Sequence, residues 1–555
     1  MHSKNNILKT LILTSSLFLI GCGGGGTNSV SSYSGNGKDG SGKYGITYKG
    51  LTFFHKDLAP QNYKLSQLSD GEFNALSASN KLRVANNLLG SLFFGYPQKE
   101  LKNKIDSGSF ISSLRNSLTE NTTDKEWLEN HILDKDKFEQ YGRWNEPQAI
   151  TILSRFYAMK NLDKYFLKNW VAYILTQTIM FSPAYELETT HTSNIANVYN
   201  SMVDLLMDDS GLRYTTYRHM MSESNWRRFR SPEDNGREML EIYLQDTNDA
   251  HVPIAAQALK NWKLDTDSDT LEIGLNHNTK PLALFNTTIK DGDDFYREMV
   301  KTADFIKGVT QRLVSFFFPG KSTTAQNRIT NSIVSSHPEK WEDILLQVIF
   351  SKEYLLHNKR AKSAEETFYS LSKKLGYTHR KSTFSSLKEY LEKMHQASMK
   401  YKLGKLERAP LDTLSFAYYH KYIREYVLLR HSDSEFKNNY SSWQRVGWSN
   451  SLTALDNFNH GNGSDTEALN SFIGHLFHTI IARDATTQEL IFFRDHLTET
   501  RDGKIAFKHE FDMFTKNDNS EKEAETRRDH RNSIALLVLD YLSRLSELYI
   551  QEEIK

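Results

Sequence analysis

Cysteine is nearly absent: Cys22 stands alone among 555 residues, so neither an intramolecular disulfide nor a cysteine cage for a metal can form. Proline is scarce too, with ten in the chain, which removes the commonest helix breaker over long stretches and favours helix before any pattern is read. An excess of one charge is missing. Against 69 Lys and Arg stand 68 Asp and Glu, so no global field draws the chain toward nucleic acid or an anionic membrane surface. Beyond the first residues no apolar run reaches the length of a membrane span. Neither H-E-x-x-H nor G-x-S-x-G occurs, and "HEFDM" at His509–Met513 lacks the second histidine, which excludes two common hydrolase signatures.

What is there begins with "MHSKNNILKTLILTSSLFLIGCGGGG". Lys4 and Lys9 precede an apolar run from Leu11 to Ile20 that is too short to cross a bilayer comfortably, the layout of a secretory signal over residues 1–21. Leu19-Ile20-Gly21-Cys22 resembles a bacterial lipobox, in which the cysteine is acylated (palmitate being the usual chain) and opens the mature protein. That reading explains the sole cysteine chemically, since Gly23–Gly26 leave it nothing to be buried in. Residues 22–45, rich in Gly and Ser, are expected to form a flexible tether. With Gly23 rather than Asp after the cysteine, the sorting rule for such lipoproteins points to the outer membrane.

Past the tether the apolar spacing is helical. Ala85–Phe94, Gln148–Phe156, Tyr165–Phe181, Ile195–Met207, Ile306–Phe318, Ile344–Leu356, Leu411–Leu429, Leu469–Ile481 and Ile534–Ile550 all carry three- and four-residue periodicity, without sustained strand alternation. In the last of these Ile534, Leu537, Val538, Tyr541, Leu545, Leu548 and Tyr549 form one stripe, predicting a docked terminal helix. The fold class is therefore all-α, a multi-helix bundle-like protein of two or three packed units, since the length is large for one core. Polar clusters at Leu264–Asp294 and Asn457–Thr466 suggest units over 51–264, 295–458 and 467–555.

Few stretches carry chemistry. "GKDGSGK" at Gly37–Lys43 fits a phosphate loop up to Tyr44, yet it lies in the tether without a flanking strand and helix. Asp456–Glu467 has Phe458 and His460 where a calcium hand needs oxygen ligands. Asp265, Asp267 and Asp269 alternate in a way that lets three carboxylates share a hard cation, but the turn glycine and closing glutamate of a calcium loop are absent, which favours a solvated acidic loop. The densest polar segment is "SPEDNGREMLEIY" at Ser231–Tyr243. With Ser231 as N-cap and Pro232 in the first turn, Glu233, Arg237 and Glu241 fall four apart on one helical face, an arrangement in which Arg237 bridges two carboxylates. The alternative is functional: Glu238 and Glu241 as an acid–base pair or metal ligands, with His219 or His251 adding nitrogen.

Several segments in order resemble the bacterial family catalogued as domain of unknown function 1800. These are "LLGSLFFGYP" (Leu88–Pro97), "EDNGREMLEIYL" with "AAQALKNW" (Ala255–Trp262), "LVSFFFP" (Leu313–Pro319), "LLQVIFSKEYL" (Leu345–Leu355), "KSAEETF" (Lys362–Phe368) and "RVGWSNS" (Arg445–Ser451). The resemblance implies an exported helical protein with no established activity and a partner protein at the envelope. It also marks departures: Asn261 stands where the family has glycine before Trp262, Trp170 is not followed closely by histidine, Met299-Val300 replaces a histidine-proline, and His277-Asn278 with Lys280 stands for a histidine-aspartate pair. The expectation is a lipid-anchored binding or assembly component at the outer membrane. It contacts the membrane through Cys22 and no nucleic acid, and no cofactor is identified. A hydrolase using Glu238 and Glu241, with or without a divalent metal, is the rival.

Overall fold

The computed structural model describes residues 37–38, 44–48, 51–55, 63–120, 145–180, 195–229, 231–265, 270–375, 381–394, 413–428, 465–498, 500–501, 504–505, 534–535 and 537–554. It is 67% helical with 6% strand, which establishes the all-α class. The chain divides into Met1–Phe54 and His55–Lys555. Gly37–Lys38, Tyr44–Tyr48 and Leu51–His55 make a small three-stranded sheet, with Gly37 opposite Gly45 and Lys38 opposite Tyr44, so part of the expected tether is paired. Cys22 lies outside the described residues.

The larger unit is organised around helix Lys164–Thr178, whose residues from Tyr165 onward are all buried. A helix submerged on every side satisfies most of its polar groups internally. Asn169 does so by donating to the Tyr165 carbonyl while its Oδ1 accepts from the Tyr199 hydroxyl (3.0 Å), and Trp170 donates from Nε1 to the Ser91 carbonyl (2.9 Å). Lys168 is paired with Glu342 and with Asp209, the latter at 3.3 Å. Around this helix Phe93, Phe156, Phe166, Tyr173 and Tyr369 pack mostly edge to face, the arrangement that aromatic quadrupoles favour.

Two short hairpins occupy the polar stretch Leu264–Asp294, where the sequence suggests only a boundary. Trp262–Asp265 pairs with Thr270–Ile273, and Leu282–Leu284 pairs with Thr287–Ile289 across Phe285 and Asn286, both at positive φ as a two-residue primed turn requires. Asn278 holds the second hairpin in place by donating to the Lys280 and Lys290 carbonyls. Asn261 sits at φ 60°, so the residue that replaces glycine before Trp262 occupies a left-handed position that asparagine tolerates better than most.

The expected continuous helix Ile534–Ile550 is broken. Helix runs through residues 537–542, a turn follows, and Ser546–Tyr549 forms a separate short helix that leads into the strand Ile550–Gln551. The stripe still buries Ile534, Val538, Leu548 and Tyr549. What the break achieves is a strand pairing, with Ile550 opposite Ala361 and Gln551 opposite Arg360, which joins this segment to the strand that leads into helix Ala364–Leu375.

Candidate functional site

The acidic segment forms the expected helix, Pro232–Met239, and the Ser231 hydroxyl accepts from the Asp234 amide at 3.0 Å. Its continuation Leu240–Leu244 is π-helical and ends at Gln245 with φ 55°. The wider turn moves Glu241 off the four-residue register. Arg237 therefore pairs with Asp249 at 3.2 Å and reaches Glu233 only at 4.0 Å, and no ion pair joins it to Glu241. This corrects the expected Glu233–Arg237–Glu241 clamp. The helix is instead tied down through its other face, where Asn235 accepts from the Tyr296 hydroxyl (2.7 Å) and Gly236 lies against Ala255 so closely that a Cβ would stand 2.9 Å from that alanine's own. Arg312 satisfies the π turn by donating to the Glu241 and Ile242 carbonyls at 2.6 and 2.5 Å. Because Arg237 is 41% exposed and Glu233 71%, Arg237→Ala is expected to cost no more than about 0.5 kcal/mol in a urea melt. A loss of several kcal/mol would restore the buried-bridge reading.

Among the described residues, no group of three acids or histidines that could share an ion includes Glu238 or Glu241. His251 is turned to Asp246 at 2.5 Å, and His219 is buried. Among the described residues, three acids that could share an ion are Asp291, Asp293 and Asp294. Asp291 accepts from the Asp294 amide as a helix cap, while Arg297 pairs with both Asp293 and Asp294. Asp265 lies in the Trp262–Asp265 strand, whereas Asp267 and Asp269 lie outside the described residues.

A cavity of about 350 Å³ opens elsewhere, between helices Ala78–Ser91 and Ala364–Leu375. Helix Ala78–Ser91 buries Val84, Ala85, Leu88 and Leu89 on one face, and its opposite stripe of Ser79, Arg83, Asn86, Asn87 and Gly90 lines the cavity. From helix Ala364–Leu375 come Glu366, Ser370 and Lys374, four apart and hence one above another. The two helices are locked just beyond the cavity at Gly95, where a Cβ would stand 2.5 Å from the Ser370 carbonyl oxygen. The paired strands add Arg360, Ile550 and Gln551, Lys362 follows the first of them, the short helix Ser546–Tyr549 adds Glu547, and Glu552 follows the second strand. Arg483 enters after helix Asp465–Ile481, which stops at Ala482 with φ 58°.

Five cations thus face three carboxylates, and their commitments differ. Arg360 and Glu366 form a buried two-point pair (2.9 and 3.1 Å), and Arg360 also donates to the Tyr354 hydroxyl at 2.5 Å. Burial opposes the charge of Arg360, but Glu366 outweighs it and holds the guanidinium above its ordinary pKa. Arg483 is held by both oxygens of Glu489 (2.8 and 2.9 Å) and by Glu547 at 3.2 Å. Lys362, half-buried, donates to the Glu547 carbonyl at 3.0 Å; desolvation brings it down to about 8 despite Glu366, with Arg360 and Arg83 adding to the fall. Lys374 is different. Its side chain is 7% exposed, it makes no hydrogen bond or ion pair among the described residues, and desolvation with Lys362 nearby lowers it to about 7. Arg83, half-buried, is likewise unpaired among the described residues.

Sequence reasoning passed over these cations because each polar stripe by itself reads as an ordinary solvent face. The available signal was Glu366, Ser370 and Lys374 at four-residue spacing on a helix that also carries Phe368, Tyr369, Leu371 and Leu375. No known protein family, curated protein or solved structure matches the chain.

Proposed function

We propose that this protein is a lipid-anchored component of the bacterial envelope that binds a small solute in the cavity between helices Ala78–Ser91 and Ala364–Leu375. The observation that carries the reading is Lys374: a largely buried ammonium with no partner among the described residues, lining a partly open cavity, is costly to maintain unless a ligand supplies the missing charge. The rival hydrolase needs Glu238 and Glu241 in a cleft, and neither lines this cavity. The anchor is supported by Cys22 within its signal context and by a run of glycines after it, and no described helix is long and apolar enough to cross a membrane. The segments resembling the exported family of unknown function support export and a protein partner at the envelope, and Gly23 after the cysteine supports placement at the outer membrane.

Two measurements test this reading. Cys22→Ser is expected to abolish labelling by radioactive palmitate and to move the protein out of the membrane fraction. Unchanged labelling would refute the anchor. A panel of sugars, sugar phosphates, amino acids and carboxylates, scored by the shift in melting temperature, is expected to contain compounds that stabilise the wild-type chain. A panel in which none does so would refute the binding role.

A further inference from the structure

We infer that the cavity recognises a phosphate monoester carried on a sugar or polyol, with Lys374 and Arg83 taking the phosphate and the polar side chains of both helices taking the hydroxyls. The inference rests on the binding role proposed above and names its ligand class. Charge is the first argument. With Arg360 neutralised by Glu366 and Arg483 by Glu489 and Glu547, the cations left to a ligand are Lys374, Arg83 and Lys362. A compact dianion balances such a cluster better than a single carboxylate, and a phosphate monoester is largely dianionic at neutral pH.

The remaining wall is the second argument. Ser79, Asn87 and Ser370 offer hydroxyl and amide groups, while no aromatic ring lines the cavity among the described residues. A nucleobase would find nothing to stack on, whereas a polyhydroxylated body finds hydrogen-bond partners. The volume of about 350 Å³ exceeds what bare phosphate needs and lies at the small end of ligand pockets. Lys374 also links binding to pH. The other charged groups that line the cavity are Arg83, Lys362, Arg360, Arg483, Glu366, Glu547 and Glu552, of which Lys362 acts on Lys374, so an arriving phosphate restores the lysine's proton and is bound less well once the lysine is neutral.

The test is calorimetric titration of the full chain in detergent with glucose 6-phosphate, with inorganic phosphate and glucose as comparisons, at pH 8 in two buffers of different ionisation enthalpy. Glucose 6-phosphate is expected to bind with net proton uptake, and its affinity is expected to fall as the pH rises from 7 to 10. Lys374→Met and Arg83→Met should each weaken it at least about tenfold. Lys374→Met should melt at or above the wild-type temperature, because it removes a buried unpaired charge, so its loss of binding is not a loss of folding. Vesicles containing phosphatidic acid identify the source of the phosphate: binding that depends on Lys374 assigns the site to a lipid headgroup, and its absence beside glucose 6-phosphate binding assigns it to a free ester. Failure of both phosphomonoesters to bind at millimolar concentration, or binding undiminished in Lys374→Met, overturns the inference. If they fail while a neutral sugar or an amino acid binds, only the ligand class is wrong; if nothing in the panel binds, the binding role falls with it.

Discussion

Arg360→Met is expected to lower stability by about 3–5 kcal/mol, read as a fall in the urea midpoint, because it strands Glu366 as an uncompensated buried carboxylate. The guanidinium also supplies donors to the Tyr354 and Ser91 hydroxyls and to the Ala361 carbonyl, so part of the loss is the unmaking of a network that ties the Arg360–Ala361 strand to helix Ala78–Ser91. Arg360→Met/Glu366→Met should recover most of the deficit, since apolar side chains of similar length can replace a buried pair at little cost. If the double substitution is as unstable as the single one, the charge pair is not what holds this wall of the cavity, and the hydroxyl network is. A single substitution that changes nothing would remove the pair from the stability argument altogether.

The second large effect is a rise in stability on the alkaline side of neutrality. Lys374 has a native pKa of about 7, and Lys362 and Lys373 about 8, all below the 10.5 of an unfolded lysine, with burial the leading cause in each. The sign follows from proton counting. Between the native and the unfolded value the unfolded chain holds more protons, so the free energy of unfolding increases with pH, by up to about 1.4 kcal/mol per pH unit for each such lysine. Below pH 7 Lys374 is charged in both states and its burial cost is fully felt. Above pH 10 tyrosines reverse the trend, because burial raises the native value of Tyr199 above its unfolded one, and burial together with the Asp293 carboxylate does the same for the half-buried Tyr217. Denaturation midpoints are therefore expected to climb from pH 7 to a maximum between 9 and 10, and Lys374→Met should flatten the climb by the share of one lysine. A midpoint that is level or falling across that window would show that these ammonium groups are solvated. At the acid end Glu489, whose burial is outweighed by Arg483 and the Thr486 amide and which titrates at about 2, should cost stability as the pH falls below 4.5.

Much of the fold was legible before any coordinates. Three- and four-residue apolar spacing is a local signal, and it located helices Lys164–Thr178, Ala303–Phe317 and Trp341–Ile349 because burial of one face is what forms them. Ser231 with Pro232 predicted a helix start that the Asp234 amide confirms, since capping involves only neighbours in sequence. The end of that helix was not legible. Its last turn widens where Gly308 packs on the Tyr243 carbonyl, so closely that a Cβ would stand 2.3 Å away, and Arg312 takes the carbonyls. Those contacts come from about seventy residues downstream, and they move Glu241 out of the expected register.

The sequence by itself determined the all-α class, the scarcity of strand and the caps, because each depends on side chains within a turn or two of one another. Only the tertiary structure decided where charge is left uncompensated. Ser79, Arg83 and Asn87 on one helix, like Ser370 and Lys374 on another, are polar stripes of the kind that usually meet water. Packing the two helices together, with Gln551 and Arg360 of the paired strands beside them, lines one cavity with both stripes and leaves Lys374 with little solvent and no ion pair among the described residues. Desolvation depends on everything that surrounds a group, and no local pattern of residues encodes it.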